Sequence, residues 1–232
     1  MLDIKLLEKK ISITFTDKAL LKEALTHRSY LNENPSWEVP HNERLEFLGD
    51  AVLELVVTEN LFKRFPNYQE GQMTSIRAAL VNYQNMAVVA KSIGLEEFIL
   101  MSRGESKDTG RAREVILANA MEALIGAVYL DKGYETAQTF INEFVVEMNI
   151  QQILTNHLYR DPKSQLQEVI QEKLKLTPKY EVLEEWGPDH KKIFKSGVYF
   201  GSTLVSEGEG YSKQEAEVEA AKNALRALNS KS

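Results

Sequence analysis

The sequence predicts two domains: an all-α one over 1–154 and a small α-β-β-β-α (α+β) one over 161–230, joined by a short linker at 155–160. Three observations carry this. Apolar residues recur three and four apart through the first part, as in Leu45, Leu48, Val52, Leu55 and Val56 and again in Ile116, Ala120, Ala123, Leu124 and Ala127. That is the period of a helix burying one face. The character changes at Arg160-Asp161-Pro162, beyond which aromatic and β-branched residues cluster at Tyr180/Val182, Phe194/Val198/Phe200 and Thr203 to Ser206, as in short strands.

In the first part, turn signals at Asn34-Pro35, Phe65-Pro66-Asn67, Glu70-Gly71, Gly104, Gly110 and Gly133 separate the helices. In the second, Asp161 suits an N-cap and Pro162 the first helical position. The helix that follows is expected to bury Leu166, Val169, Ile170 and Leu174 and to show Lys163, Ser164, Gln167, Glu168 and Gln171 on its other face. Tyr180 and Trp186 are read as core of the small sheet. A last helix from about Ser212 to Leu228 turns Ala216, Ala220, Ala221 and Ala224 inward. There are no internal repeats and no low-complexity segments.

An apolar fraction of 43% with 27% charged residues is that of a folded globular chain. No basic-then-apolar leader opens it, and runs such as Ala123 to Leu130 fall far short of the about 20 residues a membrane span needs. The absence of cysteine excludes disulfides and thiolate metal sites. A cytoplasmic protein without a membrane anchor is expected. The net charge of −6 argues against nucleic-acid binding by bulk attraction alone. From Arg160 onward the chain carries 12 basic and 12 acidic residues, and before it 16 and 22, so the acidic excess lies in the first part. It is either a solvated acidic surface or a set of carboxylates gathered around divalent cations, and charge alone does not choose.

The most informative stretch is His41-Asn42-Glu43-Arg44-Leu45-Glu46-Phe47-Leu48-Gly49-Asp50-Ala51-Val52. On a helix, Glu43, Glu46 and Asp50 share a face, apart from the stripe of Leu45, Leu48 and Val52. Like charges at this spacing cost a few tenths of a kcal/mol each. A hard divalent cation would offset that cost; a solvated acidic face is the alternative. Gly49, in the middle of the helix, costs about 1 kcal/mol relative to Ala and suggests the close approach of another backbone. A second helix, Val115 to Ala127, is nearly all apolar except for Asn119 and Glu122, which share a face. A charged Glu in such a run calls for a partner. Oxygen donors with no cysteine and only four scattered histidines suit Mg²⁺ better than zinc.

Asn42-Glu43-Arg44-Leu45-Glu46-Phe47-Leu48-Gly49-Asp50 resembles the signature of the ribonuclease III family. Ala24-Leu25-Thr26-His27-Arg28-Ser29-Tyr30 before it resembles further family segments, as do Glu70-Gly71 with Arg77 and Val81, Ile116 to Asn119 and Glu122 to Ala127 after it. The resemblance covers nearly the whole chain. It implies a Mg²⁺-dependent endonuclease that cuts double-stranded RNA, leaving 5′-phosphate and 3′-hydroxyl ends with short 3′ overhangs, in processing of ribosomal RNA precursors and other structured transcripts. It also implies metal ligation by Glu46, Asp50 and Glu122, with Glu43 and Glu70 in the outer part of the cleavage site. A homodimer is implied through the endonuclease domain, with Phe47 inserted into the partner. One departure stands out: the family usually has Asp where this chain has Asn119. An amide can still offer a carbonyl oxygen to Mg²⁺, but it removes one unit of charge. The alternative is therefore a catalytically weakened double-stranded-RNA-binding protein of the same fold. A third option, a carboxylate-metal hydrolase of a small molecule, is discouraged by the tail.

That tail resembles a double-stranded-RNA-binding domain, a type that reads the shape and 2′-hydroxyls of a duplex. Lys163, Ser164, Gln167 and Glu168 on its first helix are expected to contact RNA, as are His190, Lys191 and Lys192 between the first two strands and Lys213 at the start of the last helix. The family pattern often places a second basic residue after Lys213, where this chain has Gln214 and then Glu215, so weaker and more salt-sensitive binding by the tail is expected. His27 is read as a hydrogen-bonded structural histidine, and Trp37 is assigned no role.

Overall fold

The computed structural model describes residues 3–155, 161–188 and 192–229. The chain divides into two compact units, Met1–Tyr159 and Arg160–Ser232. Among the described residues, the first unit is helical: α1 (Ile4–Lys10), α2 (Lys18–Ala24), α3 (Arg28–Glu33), α4 (Glu43–Arg64), α5 (Glu70–Val81), α6 (Tyr83–Ser92), α7 (Gly110–Ile141) and α8 (Met148–Thr155). Local chemistry starts several of them. Asp3, Asp17 and Asn82 each accept a backbone N–H of the first turn of α1, α2 and α6. His27 does the same for α3 through Nδ1, and burial, the largest influence on it, holds its imidazole below the ordinary range. Trp37 Nε1 donates to Thr26 Oγ1 at 3.1 Å, and its ring meets Tyr30 edge-on at 5.3 Å, closing the loop before α4.

The core is built around α4 and α7. Leu53, Val56, Val57 and Leu61 of the first face Leu117, Met121, Leu124 and Val128 of the second, all buried, with Ile76 and Leu80 of α5 and Met86 and Val89 of α6 closing over them. α7 breaks at Gly133 (φ 78°, ψ 179°), one of the turn signals, and runs on through a π-helical segment at Asn142–Glu147 into α8. Two expectations fail here. Leu55 is 57% exposed, because the stripe that packs on α7 uses Leu53, Val56 and Val57 instead. Glu70-Gly71 opens α5 rather than forming a turn. No described helix is long and apolar enough to cross a membrane.

The second unit is α9 (Pro162–Leu174), β1 (Lys179–Trp186), β2 (Ile193–Phe200), β3 (Thr203–Gly210) and α10 (Lys213–Asn229), with an antiparallel sheet in the order β1-β2-β3. Asp161 caps α9, and Leu166, Ile170 and Val198 pack against Ala220, Ala221 and Ala224. The small residues of α10 let it lie almost on the sheet: a Cβ on Gly208 would fall 2.1 Å from the Ala220 nitrogen. Leu174 is 52% exposed because it is the last residue of α9, past the end of the packed stripe. Trp186, the last residue of β1, is 40% exposed and lies outside the core that Tyr180 joins.

Candidate active site

α4 presents Glu43, Glu46 and Asp50; α7 presents Asn119 and Glu122. Two glycines bring these rows together. A Cβ on Gly49 would sit 1.7 Å from the Glu122 carbonyl oxygen, and one on Gly126 would sit 2.3 Å from the Leu45 carbonyl oxygen. Both distances lie well inside contact, so the helices cross backbone against backbone, with Glu46 and Asp50 on one side and Glu122 on the other. The role of Gly126 escaped the sequence reading. The signal was there: a glycine in an apolar helical run, one turn past the only carboxylate of that run.

The crossing compresses like charges. Burial and then the Asp50 and Glu46 carboxylates push the Glu122 carboxyl up to about 8. Glu46 is raised too, by burial first and then by Glu43 and Asp50, while a hydrogen bond from the Asn119 side chain acts the other way. The acceptor there is the Glu46 carboxylate, so the Asn119 amide nitrogen donates and the carbonyl oxygen is left as the remaining donor atom for a cation. As the side chains stand, no group of three or more His, Asp or Glu among the described residues is arranged to hold a metal ion. The donor set nevertheless fits a hard divalent cation. It is all oxygen, the groups acting on Glu122 are all acidic, and its carboxyl is driven towards protonation in their company.

The other predicted residues divide. Glu43 borders the cluster at the start of α4, 3.5 Å from Arg28 and 3.8 Å from His41. Glu70 does not join it within one chain. It accepts the Thr74 hydroxyl at 2.8 Å and lines a cleft with Thr58, Leu61 and Phe62, α4 residues that begin about 12 Å along the helix from Asp50. Phe47 is 82% exposed, beside an open cleft of about 720 Å³ lined by Leu20, Glu23, His41, Leu48 and Leu130. In the second unit, the Lys163 ammonium lies 2.6 Å from Glu217 and 4.6 Å from the Tyr180 ring centroid. Ser164 donates its hydroxyl to Asp161 at 2.8 Å, and Gln167 and Glu168 are exposed one turn on. Lys192 pairs with Glu185 at 2.9 Å. Lys213 opens α10 and shares the Phe194 ring with Lys192, at 6.0 and 5.7 Å. His190 and Lys191 lie outside the described residues.

Comparison with known proteins agrees in both units. The family described as Ribonuclease-III-like matches residues 17–148, and the double-stranded RNA binding motif matches residues 162–228. The chain is 43% identical to Ribonuclease 3 of Borreliella burgdorferi, over 95% of this chain and 89% of that protein. It is 44% identical to Ribonuclease 3 of Carboxydothermus hydrogenoformans, over 96% and 94%. A solved structure of the nuclease domain of ribonuclease III from Campylobacter jejuni superposes with a TM-score of 0.57 at 45% identity, covering 64% of this chain and 99% of that one. The chain belongs to the ribonuclease III family: it is an endoribonuclease acting on double-stranded RNA, with a helical nuclease domain followed by a double-stranded RNA binding motif.

Proposed function

We propose that the α4–α7 crossing is a Mg²⁺ site at which the phosphodiester backbone of duplex RNA is hydrolysed. The carrying observation is Glu122, partly buried with its carboxyl at about 8 beside Asp50 and Glu46. Glu46, Asp50 and Glu122 would hold the cation, with the Asn119 carbonyl oxygen as a neutral fourth donor. Bound there, Mg²⁺ supplies an activated water and stabilises charge on the leaving oxygen. The chain's own residues do the rest. The glycine crossing sets the distance from Glu46 and Asp50 to Glu122, Asn119 orients Glu46, and Glu43 keeps the outer edge of the site acidic. The family resemblance adds products with 5′-phosphate and 3′-hydroxyl ends, and work on ribosomal RNA precursors and other structured transcripts in the cytoplasm. The nuclease domain spans 1–154 and the RNA-binding domain 161–230.

A homodimer belongs to the same reading. The Campylobacter jejuni nuclease domain shows structural flexibility in a region involved in its dimer formation. Here an 82% exposed phenylalanine stands beside a cleft in which Leu20, Leu48 and Leu130 are flanked by Glu23, Glu43 and Arg44, an apolar anchor within a polar rim such as an interface uses. Glu70, remote from its own cluster, would then act in the outer part of a cleavage site that two chains share. Lys163, Ser164, Gln167, Glu168, Lys192 and Lys213 would contact the duplex, together with His190 and Lys191.

The test is incubation of long duplex RNA with and without Mg²⁺, for the wild type, Glu122→Ala and Asn119→Asp. The expected result is Mg²⁺-dependent cutting by the wild type and its loss in Glu122→Ala. Binding without cutting, with activity only in Asn119→Asp, would make the chain a weakened, RNA-retaining form. Binding without cutting by all three would overturn the catalytic reading.

A further inference from the structure

The RNA-binding unit carries equal numbers of basic and acidic residues, 12 of each from Arg160 onward, and the structure shows where two of the carboxylates go. Glu217, in the second turn of α10, reaches across to α9 and holds Lys163 at 2.6 Å. Glu185, near the end of β1, holds Lys192 at 2.9 Å, at the point where the chain enters β2. Lys163, Lys192 and Lys213 are the described lysines assigned to the RNA surface, and two of the three already sit in ion pairs. The Tyr180 hydroxyl is pushed up to about 12, by burial first and then by the carboxylates of Asp161 and Glu217, and Lys163 lies over the same ring at 4.6 Å.

We propose that Glu185 and Glu217 are attenuating residues: they occupy Lys192 and Lys163 in the unbound protein and have to be displaced by phosphate when duplex RNA docks. The proposal rests on reading these lysines as RNA contacts. Both pairs are partly exposed, and ion pairs of that kind exchange readily. Phosphate can therefore take either lysine, but a carboxylate stays behind next to a polyanion. The ion balance changes as well. A lysine that meets a phosphate releases a counterion from the RNA, and a carboxylate freed in the same step gathers one. Net release is smaller, so binding is weak and its salt dependence is shallow. A shallow salt dependence is the opposite of the steeper one expected from the missing basic residue after Lys213. Retention of a duplex then depends on the nuclease domain engaging it too.

The experiment is equilibrium binding of the full chain to a labelled duplex of about 30 base pairs, longer than the roughly 16 that one such domain spans. It is done in EDTA so that nothing is cut, at several KCl concentrations. The variants are Glu185→Gln, Glu217→Gln and their double, with Lys192→Ala and Lys163→Ala. Glu209→Gln is the charge-matched control, since Glu209 lies between Gly208 and Gly210, which face α10, and so points away from the helices. Each of the two glutamine variants is expected to tighten binding about threefold and to steepen the plot of log K against log salt by up to about one, with Glu209→Gln close to wild type. If the glutamine variants bind like wild type while the lysine variants bind more weakly, the attenuation is wrong and the RNA surface stands. If the lysine variants also bind like wild type, the surface itself is wrongly placed and the proposal goes with it. Equal tightening by Glu209→Gln would reduce the effect to net charge and overturn the specific roles. Melting curves establish that every variant is folded.

Discussion

Glu122 couples folding to pH. In the metal-free protein its carboxyl keeps a proton up to about 8, whereas in the unfolded chain it loses it near 4.5. Between those values the native state binds more protons than the unfolded one, so stability falls as pH rises. The Tm of the metal-free protein is expected to drop by roughly 5 °C from pH 5 to pH 8, and Glu122→Gln is expected to flatten that slope; scanning calorimetry in EDTA reads both. Asn119→Asp adds a carboxylate to the same cluster and removes the donor to Glu46. It is expected to lower the metal-free Tm and to reduce the Mg²⁺ concentration needed for half-maximal cutting by about threefold or more, so a variant that needs more Mg²⁺ would count against a cation beside residue 119. Helical spacing made it legible that Glu46 and Asp50, and then Asn119 and Glu122, share faces, but it left a solvated acidic face open; only the family resemblance proposed them as ligands. The bond from Asn119 to Glu46 was not legible, since it joins residues 73 positions apart on different helices. The separation of Glu70 from the cluster was equally hidden, being a matter of how far along α4 its own helix docks.

At the scale of elements, the α4–α7 crossing decides most of the site. Gly49 was readable as a point of close approach, because a glycine inside a helix costs stability that something must offset; what it approached was not. Gly49→Ala puts a methyl 1.7 Å from a carbonyl oxygen and is expected to destabilise the nuclease domain by about 2–3 kcal/mol. It should also cut activity roughly a hundredfold while leaving every carboxylate in place. Urea unfolding and single-turnover cleavage separate the two effects, and wild-type activity in Gly49→Ala would mean that the helices can part without consequence. The misjudged positions have two causes. Leu174 and Trp186 have the residue types of a core but are the last residues of their elements, whereas Leu55, in the middle of α4, lies beside the stripe that packs on α7. Periodicity reports which face is apolar, not how far the neighbouring element extends along it.

For the molecule as a whole, two separate cores mean that the nuclease and RNA-binding functions rest on independently packed units. The order of these units was visible in the change of pattern at Pro162. Assembly was not, because an exposed phenylalanine has no signature in periodicity and Phe47 was assigned to an interface by resemblance alone. Phe47→Ala is expected to leave the protomer folded and to weaken self-association about thirtyfold, which sedimentation equilibrium measures; an unchanged dimer would place the contact elsewhere. The glycine crossing has a consequence for how such a molecule can vary. The gap between the carboxylates of α4 and Glu122 of α7 is set by peptide resting on peptide, a contact that contains no side chain able to drift. The aliphatic residues behind it can exchange for one another over many generations, or in a directed-evolution library, while the chemistry stays in register, provided that two positions keep nothing at all.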